Sequence, residues 1–227
     1  MTSEAVEGVV KGIRSVLPRC NQLVSEFLHS PDRYGAGFAG PTFDLLKPNE
    51  PNTWHSSDLV AVGLLDVKVP PSGVRAMLSE KAASFNDALA AIDPEVALWA
   101  DDDEQVQEAL VRAAKLSRLL AAITGVGSTT SSKLLARKRP NLVPINDSVI
   151  RRLLGVQPID DFPRLLRTAL RTDGIIPLIR DARPSEFSGL SELRILDIAL
   201  WMAGSRSRSA RRARDKLGVE GPSAPAA

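Results

Sequence analysis

Ile123-Thr124-Gly125-Val126-Gly127-Ser128-Thr129-Thr130-Ser131-Ser132-Lys133-Leu134-Leu135 is the stretch on which the reading of this chain turns. Before it, Val106, Leu110, Ala113, Leu116, Leu120 and Ile123 recur at helical spacing, which predicts a long helix over 104–123 with one buried face. After it a second, shorter helix is expected, with Ser128 or Thr129 as its N-cap. Gly125 is the usual residue for a left-handed helix end, and Gly125-Val126-Gly127 lets the backbone turn tightly. The first amides of a helix have no intrahelical acceptor, so such a turn can offer N–H groups to a phosphate oxygen. Two readings stay open: a plain interhelical turn, or a helix-hairpin-helix that grips a nucleic-acid backbone.

Downstream, Pro140 and Pro144 push their predecessors out of the helical region, so Leu142-Val143-Pro144-Ile145 reads as an extended apolar lead-in. It delivers Asp147, which either caps a helix over 148–154 or places a carboxylate beside the turn.

Working outward, residues 3–28 carry an apolar helical stripe that Pro18 should interrupt, and Cys20 on it reads as a packed apolar residue. Residues 31–56 are broken by glycine and proline yet hold Tyr34, Phe38, Phe43 and Trp54, four of the ten aromatics. A segment so rich in rings should pack down. Its rings either plug the core or, as Tyr34, Trp54 and His55, line a base-sized pocket. Helices are expected again from Ser57 (capped by Ser56 or Ser57), over 72–78 and 84–92, and Asp93-Pro94 reads as a helix start. Further helices are expected over 161–172 and 188–202. The last is apolar nearly all round, hence deeply buried, and its Asp197 needs a partner. With no internal repeat and no convincing strand pair, the fold class is all-α. Residues 1–204 read as one helical domain, either a single body or two lobes with 104–155 carrying hairpin and acid. Residues 205–227 read as a basic and then disordered tail.

Composition narrows the function. The 227 residues contain one cysteine, which excludes disulfides, a Cys-ligated zinc and a four-cysteine iron–sulfur cluster. No secretory signal and no membrane-length apolar run are visible, so the cytoplasm is the expected address, with no membrane partner. The net charge is only +2, but Lys133, Arg137, Lys138, Arg139, Arg151 and Arg152 gather against the single acid Asp147, while residues 93–104 hold acids alone. A basic face of that kind fits a phosphate-backbone partner, and a solvated helix face would look the same.

Gly125-Val126-Gly127 with Thr130, and Asp147 eighteen residues after Thr129, resemble the helix-hairpin-helix superfamily of DNA glycosylases over about Leu119 to Gly155, and loosely over Leu193 to Met202. The resemblance implies an all-α, helix-hairpin-helix glycosylase-like fold and DNA as partner. It implies backbone contacts from Gly125, Val126, Gly127, Ser128, Thr129 and Thr130, with Lys133 and Arg137 as charge partners. Asp147 would be the catalytic carboxylate of a monofunctional DNA glycosylase, a hydrolase of the N-glycosidic bond of a flipped base; the alternative is a non-catalytic DNA-binding module. Bifunctional members carry a Schiff-base lysine where this chain has Thr129, so no lyase step is expected. No cofactor is implied beyond a monovalent cation at the hairpin carbonyls near Ile123 and Val126. Ser131, Ser132 and Asn146 depart from the family pattern and predict a wetter hairpin helix.

Overall fold

The structure, a computed structural model, describes residues 3–29, 38–157, 161–172 and 174–221. All regular elements among them are helical, as the patterning predicts. None of these helices is long and apolar enough to cross a membrane. The chain forms two compact units, one from Met1–Phe38 with Asp147–Ala227 and the other from Ala39–Asn146. The boundary falls between Asn146 and Asp147, so the hairpin and the candidate acid belong to different units.

The first unit begins with α1 (Ser3–Val16), a 3-10 turn (Leu17–Arg19) at Pro18, and α2 (Cys20–His29). Pro18 has no N–H to give and interrupts the helix where expected. The unit is completed by α9 (Ser148–Leu153), α10 (Phe162–Leu170), α11 (Ile175–Asp181), α12 (Glu192–Gly204) and α13 (Arg208–Leu217); α3 to α8 belong to the other unit. α12 is its centre. Ten of its thirteen residues are buried, and it packs on α1, α2, α9, α11 and α13. It starts four residues later than the apolar pattern suggests, because Ser185–Phe187 form a 3-10 turn and the Ser191 hydroxyl caps Arg194 N–H. Asp197 finds the partner it needs in Arg194 one turn back, whose guanidinium also lies over the Phe27 ring. At Gly204 a Cβ would sit 3.1 Å from Val149 Cγ1 and 3.3 Å from Leu153 Cβ, so only glycine lets α9 approach this closely.

Cys20 on α2 is fully buried, and burial pushes its thiol up to about 12. A thiol-specific reagent at pH 8 is expected to label it only after denaturation; labelling of the native chain on the mixing timescale would contradict this packing. As the folded pKa lies above the unfolded one, the thiol's contribution to stability is intact below about 9 and is lost as pH rises from there towards 12.

The second unit holds α3 (Pro41–Leu45), α4 (Ser56–Gly63), α5 (Pro71–Arg75) running into a π-turn (Ala76–Glu80), α6 (Ala82–Ala90), α7 (Asp103–Ala121) and α8 (Ser128–Lys138). α7 packs on α6 and α8, and α8 on α4. The N-caps expected at Ser56 or Ser57 and at Asp93 are not used. His55, not Ser56 or Ser57, is the N-cap of α4: its N–H donates to Asp58 Oδ2 at 2.8 Å, while Ser57 Oγ donates to Pro48 O. Asp93-Pro94 starts no helix. The Asp93 carboxylate accepts Glu95 N–H in a local turn, and the next helix waits for Asp102, whose side chain caps Gln105 N–H.

The basic end is not a tail. Arg208–Leu217 form α13, capped by Ser207 and closed by Gly218 in the left-handed region. Residues 222–227, read as disordered, lie outside the described residues.

Candidate nucleic-acid interface

α7 ends at Ala121, two residues early, and Ile123 O accepts Val126 N–H at 2.9 Å in the turn that follows. Gly125 supplies the predicted positive φ, +88°, and its missing Cβ would lie 3.3 Å from Pro70 Cγ. Gly127 does something else. It is extended (φ −86°, ψ 176°) and is itself the N-cap of α8, with no side-chain acceptor. Ser128 and Thr129 therefore are not caps, as sequence suggested, but the first helical residues. Among the described residues no acceptor meets the amides of Ser128, Thr129 and Thr130; the first intrahelical bond comes from Ser131 N–H to Gly127 O. Gly125, Gly127 and Ser128 are exposed, Thr129 is half-buried, and Val126 and Thr130 are buried.

The hydroxyls that looked like departures from the family pattern have structural work. Ser131 is buried, donates to Ser128 O and meets Ser117 Oγ of α7 at 3.1 Å. Ser132 Oγ donates to Thr129 O and accepts Asn146 N–H at 3.0 Å. Thr129 Oγ1 reaches Asn146 O at 3.4 Å. α8 thus holds both backbone groups of the residue preceding Asp147. The expected wetter helix is instead internally hydrogen-bonded.

Asp147 is half-buried, and its Oδ1 accepts Val149 N–H at 2.8 Å. It is the N-cap of α9, the plainer of the two roles open to it in sequence.

The basic run corrects the sequence reading most. Lys133, Arg137, Lys138 and Arg139 are all buried, so Lys133 and Arg137 are not surface charge partners for a phosphate. Three of them meet the carbonyl end of another helix. Lys133 Nζ donates to Leu65 O just past α4, Arg137 to Phe43 O and Leu46 O at the end of α3, and Arg139 to Leu89 O and Ile92 O at the end of α6. Helix C-termini carry roughly half a negative charge each, which is why one helix can bury several cations together. Asp58 completes the compensation: wholly buried, it pairs with Arg137 Nε and Lys138 Nζ, each at 2.7 Å. Burial still presses the Lys138 ammonium below its usual value, with Asp58 opposing, and lowers Arg139 to about 10. Sequence reasoning missed Asp58; its signal is a lone acid in the first turn of the otherwise apolar run Leu59 to Leu65.

The pocket residues divide. Trp54 is buried with Lys138 over its ring, so it plugs the core, and among the described residues its indole N–H meets no acceptor. His55 is part-exposed, its Nε2 2.9 Å from Glu50 Oε2. Tyr34 lies outside the described residues. Of the carbonyls suggested for a monovalent cation, that of Ile123 accepts Val126 N–H.

With the run buried, the surface charge lies elsewhere. The unit holding α12 has 18 Lys and Arg against 14 Asp and Glu; the unit holding the hairpin has 11 against 13.

The model of DUF6308, described as a family of unknown function, matches residues 21–204, about four-fifths of the chain. No curated protein and no solved structure matches.

Proposed function

The chain belongs to DUF6308, a family of unknown function, and we propose that it binds DNA by taking a backbone phosphate on the amides that open α8. The observation that carries this is the row Ser128, Thr129 and Thr130, three consecutive N–H groups without acceptors beside an exposed Gly127. A Cβ on Gly127 would meet nothing within 4 Å, so the approach is open. A helix of eleven residues adds its dipole to those amides. Because the grip is made by neutral backbone groups, it does not need Lys133 or Arg137 at the surface.

Ser128→Glu tests the grip. A carboxylate in the first turn of α8 compensates the dipole and fills the uncapped start, so the variant is expected to be as stable as wild type or more so by about 0.3–1 kcal/mol. The same carboxylate occupies the phosphate position, so affinity for a labelled duplex is expected to fall by roughly tenfold or more, the loss of about one charge-assisted hydrogen bond. Unchanged affinity at unchanged stability removes the hairpin as the grip.

Base excision by Asp147 is a second reading, favoured by the way Thr129 and Ser132 hold Asn146. Asp147 is the next residue in the chain. A carboxylate there would stabilise the oxocarbenium character of a departing nucleotide sugar and orient the attacking water. The base must first leave the stack, at a cost of a few kcal/mol that backbone binding offsets. With Thr129 at the position of the Schiff-base lysine, the reaction would stop at hydrolysis.

A further inference from the structure

α13 carries three arginines that its own fold does not use. Arg208, Arg211 and Arg212 are exposed and make no hydrogen bond or ion pair among the described residues. Their spacing of three and four places them on one face of the helix. The opposite face is what docks the helix: Ala210, Ala213 and Arg214 are buried, and Arg214 donates to Met202 O in the last turn of α12. Lys216 adds an ion pair with Glu26 of α2 at 2.7 Å. The helix is therefore held rigidly while its arginine face points away from every partner in the unit. Asp215, exposed one turn on, is the only acid of that face.

Stability does not explain the arrangement. Arg208 is the first residue of α13, where the helix dipole disfavours a cation, and Arg211 and Arg212 have no acid one turn before them. We infer that the Arg208–Arg211–Arg212 face is a second contact surface, one that binds the phosphodiester backbone of DNA in its own right. Charge complementarity and residue type select this partner. All three cations are arginines, whose planar fork takes a phosphate through two parallel hydrogen bonds. The face has no exposed apolar side chain to enter a lipid surface, which an interfacial membrane helix needs. The inference shares its partner with the proposed function but not its residues, and it supplies the surface cations that the buried run of α8 withholds.

The test is a salt titration of full-length chain with a fluorescein-labelled duplex of arbitrary sequence, read by anisotropy. Three phosphate contacts contribute about 2.7 to the slope of log affinity against log salt concentration. R208Q/R211Q/R212Q is expected to flatten the slope by that amount with its circular dichroism and melting temperature kept, since glutamine is as good a helix former as arginine. A charge-matched control outside α13, K11Q/R14Q/R19Q, is expected to leave the slope within about 1 of wild type. A triple variant with the full wild-type slope overturns the inference, and so does a control that flattens it equally. If Ser128→Glu abolishes binding while the triple variant keeps its slope, the hairpin stands and this surface falls; the reverse pattern sinks the hairpin alone. Loss of binding to phosphatidylserine vesicles without loss of DNA binding also overturns the inference in favour of a membrane surface.

Discussion

Replacing Asp58 by alanine is expected to lower the stability of the Ala39–Asn146 unit by about 3–5 kcal/mol, the cost of removing one partner from a buried ion pair. The loss comes from what is left behind. Arg137 and Lys138 lie in the same interior with their remaining partners, Phe43 O and Leu46 O for one, Asn49 Oδ1 and Glu50 O for the other. Those dipoles cannot neutralise a guanidinium and an ammonium without the carboxylate. The His55 N–H that Asp58 accepts would also be orphaned, which removes the N-cap contact of α4. A whole domain is stable by about 5–15 kcal/mol, so this single change takes a large share. Urea unfolding followed by tryptophan fluorescence reads it through buried Trp54. Removing the stranded charge as well, in Asp58→Ala with Lys138→Met, should recover part of the loss, because an uncompensated buried cation costs more than none. A loss below about 1 kcal/mol, the range of a surface pair, would show that the cluster is solvated after all.

That cluster marks where sequence reading stopped. Periodicity is a local property, so α1, α2, α7 and α12 were visible in it. The positive φ of Gly125 was visible too, because glycine is the residue that reaches it without strain. The destination of Lys133, Arg137, Lys138 and Arg139 was not. Four cations within seven residues look like a solvated face or a phosphate site. Only tertiary structure brings the carbonyl ends of α3, α4 and α6 against them. Those carbonyls are backbone groups, which have no residue signature. Arg214, which closes the end of α12 through Met202 O, repeats the device on a helix that sequence read as a tail.

The candidate site was legible in a similarly uneven way. The open amides were predicted from Gly-Val-Gly, but their cap was misassigned: Ser128 and Thr129 were the better capping residues by type, and the chain places Gly127 there instead. Thr129, free of the cap, reaches Asn146 O, and Ser132 takes Asn146 N–H. A long-range tie between hydroxyl and backbone leaves no periodic trace, so these serines read only as departures from a pattern.

Asp147→Asn separates chemistry from structure at this position. Asparagine caps a helix as well as aspartate does, so the bond to Val149 N–H survives and stability is expected to stay within about 0.5 kcal/mol of wild type. Asp147→Ala deletes the cap and is expected to cost about 1 kcal/mol. Catalysis would rank the two variants differently. A carboxylate acting as general base and charge stabiliser contributes about 10²–10⁴ in rate, and asparagine can supply neither the charge nor the proton acceptor. Under the base-excision reading, both variants lose base release by that factor in single-turnover assays on duplexes bearing damaged or modified bases, while DNA affinity is retained. The pairing matters because a purely capping aspartate predicts that the two variants part: alanine impaired through stability, asparagine indistinguishable from wild type. Equal base release by wild type and Asp147→Asn, or none from wild type across such duplexes, would leave Asp147 as the N-cap of α9 and the chain as a DNA-binding protein alone.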